Sequence, residues 1–222
     1  MTPEQLVSLF LHKSFFGYLL GTFVGLVTIA NPLSKIPLFM SLTGEMQRLV
    51  QKDNARRAAV YAFGLLTTCL FIGALVLEVF GISYGALRIA GGITILSLGY
   101  RMFFEPGHAP IAGRPGSDDI AFFPLAFPGI SGPGTIAFMI GISTEIAELR
   151  GATVKASAYG ATILSTAAMC LVMWAVYRSA RGVSRVIGPQ GMEAMTRMMG
   201  FLLICIGVQF IGSGIRSFVA GS

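Results

Sequence analysis

The chain has 222 residues, a formal net charge of +6 and a hydrophobic content of 54%, and only 12% of its residues are charged. Its mean hydropathy of +0.75 is far above the value of a soluble domain with an ordinary charged surface. The composition therefore excludes a soluble globular enzyme and indicates an all-α integral membrane protein.

Apolar stretches of membrane-crossing length recur along the whole chain. A transmembrane helix needs about 20 apolar residues to cross the hydrocarbon core of a bilayer. The sequence predicts six such spans, at residues 15–42, 58–80, 84–104, 120–142, 156–176 and 195–218. Little sequence lies outside these spans, so we expect the function to reside inside the helical bundle.

The first predicted span has a proline, Pro32, in its interior. Proline lacks a backbone N–H and clashes with the carbonyl one turn earlier, so the span should divide into two half-helices whose freed backbone groups need new partners. Asn31 offers a donor and an acceptor beside this break, either to a substrate or as a cap of the second half-helix. The hydroxyls of Thr28 and Ser34 have the same two interpretations, contact with a substrate or with the freed backbone groups.

Lys35 is the only Lys or Arg well inside a predicted span. A charge at membrane depth costs about 2.5–3.5 kcal/mol on insertion scales unless it is solvated. One hypothesis is that Lys35 binds a substrate carboxylate or replaces a coupling cation. The other is that its four-carbon stem carries the ammonium group to the membrane interface.

A polar segment rich in proline and glycine, residues 105–119, separates three predicted spans from three others. It is interpreted as a linker between a first repeat at 1–104 and a second at 120–222. Short sequences recur in the same order, since Arg88-Ile89-Ala90-Gly91 opens the third span and Arg197-Met198-Met199-Gly200 opens the sixth. Three spans per half predict two inverted three-helix repeats, related by a pseudo-two-fold axis in the membrane plane.

The fourth predicted span is also broken, at Gly-Pro-Gly, and its Pro133 follows Pro32 by 101 residues. Each half therefore begins with a discontinuous helix, and transporters place substrates at such breaks. Around this second break, the candidate substrate-binding residues are Ser131, Gly132, Pro133, Gly134 and Thr135. Gly132 and Gly134 either let a ligand approach bare backbone or allow tight helix packing.

Half-helix ends can bind both charges of a zwitterion. Helix amino termini carry unpaired N–H groups and about half a positive charge, which suits a carboxylate, while carbonyl ends suit an ammonium group or a cation. A zwitterion of amino-acid size therefore fits such breaks better than a simple anion. Gln209, in the sixth span, is a weaker candidate for the site, because a polar side chain there commonly bonds to another helix.

No cofactor or metal site is expected from the sequence. Cys69, Cys170 and Cys205 lack the paired spacing of a zinc site or a disulfide framework. His12 and His108 lie outside the predicted spans, and no nucleotide-binding P-loop is present. Coupling to protons or to Na⁺ stays open at this point.

The basic residues predict an orientation. Five Lys and Arg residues fall on the amino-terminal side of the six spans and ten on the other, which favours both termini outside. The five are Lys13, Arg88, Arg150, Lys155 and Arg216; the ten are Arg48, Lys52, Arg56, Arg57, Arg101, Arg114, Arg178, Arg181, Arg185 and Arg197. The positive charge is thus explained by loops facing the cytoplasm and anionic lipid, with no pattern that points to nucleic acid.

Several motifs resemble the MarC family of six-helix membrane proteins of bacteria and archaea. These motifs are Ala30-Asn31-Pro32-Leu33-Ser34-Lys35-Ile36-Pro37, Phe123-Pro124-Leu125-Ala126-Phe127-Pro128 and Ser131-Gly132-Pro133-Gly134-Thr135. The resemblance covers nearly the whole chain and implies an inner-membrane transporter of small neutral amino acids such as glycine, alanine or serine. The chain departs from the family pattern at Ser34-Lys35, where members usually carry Gly-Asn.

Three functional classes follow from these observations. The leading hypothesis is a secondary transporter, an exporter or exchanger of small neutral amino acids that works by alternating access. Its expected partners are the substrate and the lipid bilayer, with no nucleic acid, and a homo-oligomer stays open. The alternative is an ion or small-solute channel, because broken helices also line pores. An intramembrane enzyme is disfavoured, since Lys35 and its neighbouring hydroxyls are the only catalytic candidates at membrane depth.

Overall fold

The computed structural model describes residues 15–104 and 120–220, and every regular element in those two ranges is helical. The predicted linker at 105–119 and the chain ends lie outside the described residues. In chain order the elements are α1 (Phe15–Ala30), a 3₁₀ turn (Pro32–Ser34), α2 (Lys35–Thr43), α3 (Arg48–Phe80), α4 (Tyr84–Phe104), a wide helical segment (Ala121–Ile130), α5 (Pro133–Glu148) and a final stretch (Ala152–Ala220).

The final stretch is two helices rather than one. Gly188 interrupts it with φ 70° and ψ 173°, a conformation that only glycine adopts at little cost. The helix before this point is α6 (Ala152–Gly188), and the helix after it is α7 (Glu193–Ser217). The break separates the fifth predicted span from the sixth.

Not all six predicted spans are both long enough and apolar enough to cross a membrane. Among the described residues, four stretches are, namely Phe15–Met40, α3, α6 and α7. A fifth is obtained if Ala121–Ile130 and α5, which meet at an angle of 64°, count as one broken span. α4 has the helix bounds that the sequence predicts, but its arginines, Arg88 and Arg101, and its glycines lower its apolar content.

Side-chain contacts give the relative directions of the helices. α3 and α5 run parallel, since Ala62 contacts Ser131 and Ala74 contacts Ser143. α4 runs antiparallel to α5, because Gly91 lies against Ala137 and Gly141 against Tyr84. α1 and α2 run parallel to α6, as the hydrogen bond from Ser165 to the carbonyl of Leu19 in α1 and the stacking of Phe39 in α2 on Tyr177 show.

Three pairs of glycines join α4 to α7. The glycines repeat at seven-residue intervals on each helix, and a Cβ atom added to any of the three on α7 would lie within 3 Å of the α4 backbone, which leaves room only for hydrogen. The pairs are Gly85 with Gly214, Gly92 with Gly207 and Gly99 with Gly200. Because the residue numbers rise on one helix as they fall on the other, α4 and α7 are antiparallel and in backbone contact.

The surface of the bundle carries many large apolar side chains, as its interior does. Leu66, Leu70 and Met139 are fully buried in the core. Large apolar side chains are also strongly exposed, for example Val79 at 72% and Val186 at 88%. Such a surface is stable in lipid and would aggregate in water, so the all-α membrane class predicted from composition is confirmed.

Candidate functional site

The first break begins at Asn31, where α1 ends. Asn31 has φ 46° and ψ 74° and is the one residue other than glycine with a positive φ in the described part of the chain. Asparagine tolerates this left-handed conformation better than most residues do. Its side chain makes no capping hydrogen bond, so Asn31 ends the helix through its backbone, and Pro32 then starts the 3₁₀ turn.

Ser34 ties the 3₁₀ turn back to the break. Its backbone N–H donates to the carbonyl of Asn31 at 3.1 Å, and its hydroxyl donates to the same oxygen at 2.8 Å. The N–H of Asn31 itself donates to the carbonyl of Val27 at 2.9 Å, the last hydrogen bond of α1. The Ser34 hydroxyl therefore satisfies a freed backbone group, as one of its two sequence-based interpretations proposed.

The second break follows the wide helical segment Ala121–Ile130. Phe123 (φ −121°, ψ 121°) and Phe127 (φ −122°, ψ 123°) are extended inside it, because each precedes a proline and proline disfavours the helical conformation of the residue before it. α5 then begins at Pro133 in a new direction. The Thr135 hydroxyl donates to the carbonyl of Ile130 at 3.2 Å and so bridges this bend.

The two breaks lie opposite each other. Gly25 of α1 packs against the ring of Phe138, and Ile29 packs against Gly134, where a Cβ atom would lie 3.3 Å from the Ile29 side chain. These two contacts define an antiparallel crossing of α1 and α5. The same register brings Asn31 level with Gly132.

A small cavity lies between the two breaks. Its volume is about 30 Å³, which is room for about one water molecule. The first break supplies Ile29, Ala30 and Lys35, the second supplies Pro128, Gly129, Ile130, Gly132, Pro133, Gly134 and Thr135, and α4 and α7 close the cavity with Thr94, Ile95, Leu98 and Leu203. Residues from both predicted breaks are therefore neighbours in space.

Lys35 is buried at this cavity. Its side chain and backbone together are only 7% exposed, so the stem does not carry the ammonium group out to the surface. No carboxylate in residues 15–104 or 120–220 forms a salt bridge with it. A buried, unpaired ammonium group is costly, and an anionic ligand in the cavity would relieve that cost.

Two helix ends of opposite polarity face the same space. α5 starts after Gly132, which is extended and makes no side-chain cap, so the N–H groups of Gly134 and Thr135 have no acceptor within the helix. The carboxyl end of α1, at Ile29 and Ala30, lines the same cavity and presents the carbonyls that the helix leaves unpaired. The site thus combines a weakly positive edge with a weakly negative one.

Two of the sequence-predicted residues lie away from the cavity. Thr28 and Gln209 are exposed on the outside of the bundle, and neither lines it. Asn31, Pro32, Ser34 and Ser131 are buried at the breaks without lining it either. Of these, Ser131 lies with its hydroxyl 3.5 Å from the carbonyl of Ala62 on α3, a contact at the limit of hydrogen-bond distance.

The contribution of α4 to the cavity was not predicted. Thr94, Ile95 and Leu98 reach it because Gly91 lets α4 approach α5, with 2.9 Å between a Cβ atom built at Gly91 and that of Ala137. The sequence signal was the Gly91-Gly92 pair at this level of the helix. No group of three metal-ligating side chains lies together in the part of the chain that the structure describes.

The fold and the site together define a multi-pass integral membrane protein whose helices are broken at facing points. The chain belongs to the MarC family, since residues 16–219 match the pattern described as MarC family integral membrane protein. It is similar to the inner membrane protein MarC of Escherichia coli strain K12 and to that of Shigella flexneri, each 35% identical over 88% of this chain and 93% of the relative. No solved structure matches it. The family and the apolar helices identify it as an inner membrane protein.

Proposed function

We propose that the protein is a secondary transporter, an exporter or exchanger of small neutral amino acids such as glycine, alanine or serine. The observation that carries the proposal is the meeting of the two breaks, with Lys35, Gly134 and Thr135 lining one cavity. In transporters of known mechanism, discontinuous helices meet in this way at the substrate. Nothing in the proposal requires catalysis or a cofactor.

The chemistry of the cavity favours a zwitterion. The unpaired N–H groups at the start of α5 and the ammonium group of Lys35 attract a carboxylate, while the carbonyls at the end of α1 attract an ammonium group. The walls between these ends are apolar and include Ile29, Ile95 and Leu98. Small side chains suit such a site, because little volume is available for anything larger.

The proposed architecture has six spans in two inverted three-helix repeats. The helix directions support it, because the contacts described above make successive spans run alternately one way and the other. The α4–α7 contact supports it further. Exchanging Gly85, Gly92 and Gly99 for Gly200, Gly207 and Gly214 reproduces the same three glycine pairs, as a two-fold axis through the middle pair requires.

Transport then proceeds by alternating access. The cavity of about 30 Å³ is too small for an amino acid, so substrate entry requires the α1–α5 crossing to open toward one side of the membrane and then the other. The backbone contact between α4 and α7 leaves that pair no comparable freedom. We therefore propose that the broken helices move against an α4–α7 scaffold.

The proposed setting is a bacterial or archaeal inner membrane with both termini outside. Arg48, Lys52, Arg178 and Arg181 line one end of the bundle, which suits a cytoplasmic face. The proposed partners are the substrate and the bilayer, with no nucleic acid, and a homo-oligomer is compatible with the exposed apolar surface. The proposal does not specify whether transport is coupled to H⁺ or to Na⁺, and a transport assay with imposed ion gradients distinguishes the two.

Counterflow of labelled alanine or glycine into proteoliposomes tests the proposal. The wild-type protein should show saturable, stereoselective exchange of the labelled amino acid. Gly132→Leu should reduce that exchange at least tenfold, because a Cβ atom at Gly132 already lies 3.0 Å from the carbonyl of Pro128 and a longer side chain would fill the cavity.

Gly160→Leu is the matched control, since Gly160 is an exposed helical glycine with open space around it. It should exchange substrate like the wild type, and both variants should elute as folded protein in gel filtration. Folded wild-type protein that exchanges none of a panel of small amino acids would reject the proposal. Unsaturable ion currents from the same vesicles would favour the channel alternative.

A further inference from the structure

A second cavity lies at the end of the bundle that carries the connection from α2 to α3, and it shares no lining residue with the first. Its volume is about 340 Å³, within the range of pockets that bind small organic groups. It is lined by the first turns of α3 and the last part of α6, through Arg48, Gln51, Lys52, Tyr177, Arg178, Ser179, Arg181 and Gly182. Nothing in the proposed transport mechanism uses it.

The charge of this cavity is strongly one-sided. Four of its eight lining residues are Lys or Arg, and none is Asp or Glu. The nearest carboxylate on α3, Asp53, is paired with Arg56 at 3.0 Å and does not line the cavity. Glu45, in the loop before α3, does not line it either.

Two of the four cations are held in place by neutral partners. Arg181 donates to the carbonyls of Gly44 and Met46 at 2.9 and 3.0 Å, which fixes the loop before α3 against α6. Arg178 stacks on the ring of Trp174 with 5.3 Å between its guanidinium carbon and the ring centroid. Neither contact neutralises a charge, so the guanidinium groups keep their attraction for an anion.

The amino terminus of α3 adds to the positive potential. The helix has no acidic residue in its first turn, and the side chain of Gln47 at its cap position makes no capping hydrogen bond. The first N–H groups of α3, beginning with that of Arg48, are therefore unpaired at the edge of the cavity. Gln51 lines the cavity, but its amide N–H is already engaged, since it donates to the Thr43 hydroxyl at 2.9 Å.

We propose that this cavity binds the phosphate headgroup of an anionic phospholipid. Its position supports a lipid source, because it opens at the end of membrane-crossing helices, where headgroups lie, and Leu49 and Val50 beside it are exposed at 78% and 48%. Those apolar side chains offer contact to the acyl chains of a lipid whose phosphate meets Arg48, Lys52 and Arg178. Bound there, the lipid cross-links α3 and α6 on one face of the bundle.

Native mass spectrometry of the detergent-solubilised full chain tests the proposal, with phosphatidylglycerol as the anionic probe and phosphatidylcholine, a zwitterion of zero net charge, as the comparison. The wild type should retain phosphatidylglycerol preferentially. Lys52→Gln and Arg178→Gln should each weaken its apparent affinity roughly fivefold, because one basic residue near a headgroup contributes about that factor. Lys52→Arg should restore the affinity.

Arg185→Gln is the matched control, because Arg185 is an exposed arginine further along α6 that does not line the cavity. It should bind phosphatidylglycerol like the wild type. An equal loss in Arg185→Gln would show diffuse surface attraction and overturn the proposal. Competition by inorganic phosphate without any preference for phosphatidylglycerol would also overturn it, by assigning the cavity to a soluble phosphate compound. Neither result depends on whether the protein transports amino acids.

Discussion

The α4–α7 contact and the α1–α5 crossing are both antiparallel helix pairs that depend on glycine, and they use it in opposite ways. Between α4 and α7 the glycines bring backbone against backbone, and Gly92 and Gly207 leave no space between the helices. Between α1 and α5 the glycines lie beside prolines, and Gly132 and Gly134 border a cavity. Small residues therefore build a fixed contact where helices are continuous and an adjustable one where helices are broken.

The largest expected effect comes from filling the fixed contact. Gly92→Leu places a side chain where even a Cβ atom would lie 2.8 Å from the Gly207 carbonyl, and backbone cannot move aside as a side chain can. We expect a loss of about 3 kcal/mol or more in stability, seen as a lower thermal midpoint in detergent and less monodisperse protein.

Gly64→Leu serves as the control for Gly92→Leu, since Gly64 lies in α3 with open space around its Cα. It should unfold like the wild type. If the two leucine variants unfold alike, α4 and α7 are not in backbone contact and the comparison fails.

A smaller effect is expected at the adjustable contact, where one substitution should raise stability and weaken transport. Lys35→Met removes a buried ammonium group that has no carboxylate partner in the described ranges, so the protein should become slightly more stable. The apparent KM for alanine in counterflow should rise about tenfold, because a charged hydrogen bond to the substrate is lost. Lys155→Met, at a partly exposed lysine that lies away from the cavity and donates to the Ala147 carbonyl, should change neither quantity.

The positions of the breaks were predictable because their cause is local. Pro32 and Pro133 interrupt helices through their own rings, and the structure ends α1 at Ala30 and starts α5 at Pro133 accordingly. Helix lengths were less predictable, since α3 begins at Arg48 while hydropathy marks a span only from residue 58. Polar residues extend this helix beyond the apolar core, and hydropathy does not register them.

Features that depend on which helices are neighbours were not predictable from the sequence. The glycines at seven-residue intervals on α4 and α7 are visible in the chain, but nothing local says that Gly92 faces Gly207 rather than lipid. The burial of Lys35 is a second case, because an extended stem to the interface and a buried position are both consistent with its place in the sequence. Packing, not propensity, decides between them.

The smallest expected effect concerns Asn31. Two substitutions there distinguish the role of its backbone conformation from the role of its side chain. Asn31→Ala should lower stability by about 1 kcal/mol, because alanine is disfavoured at φ 46°, whereas Asn31→Gly should not. If the amide also contacts the substrate, both variants lose substrate affinity severalfold in counterflow. A loss confined to the alanine variant would assign the residue a backbone role alone.

The spacing of the α4 glycines has a further consequence for how the protein meets its membrane. Gly85 and Gly99 are 14 residues apart, which is about 21 Å along a helix and about two-thirds of the hydrocarbon thickness. No acyl chain can enter between helices in contact over that length. A thicker or thinner bilayer would therefore tilt α4 and α7 as one unit, and hydrophobic mismatch would be transmitted to both halves of the chain together.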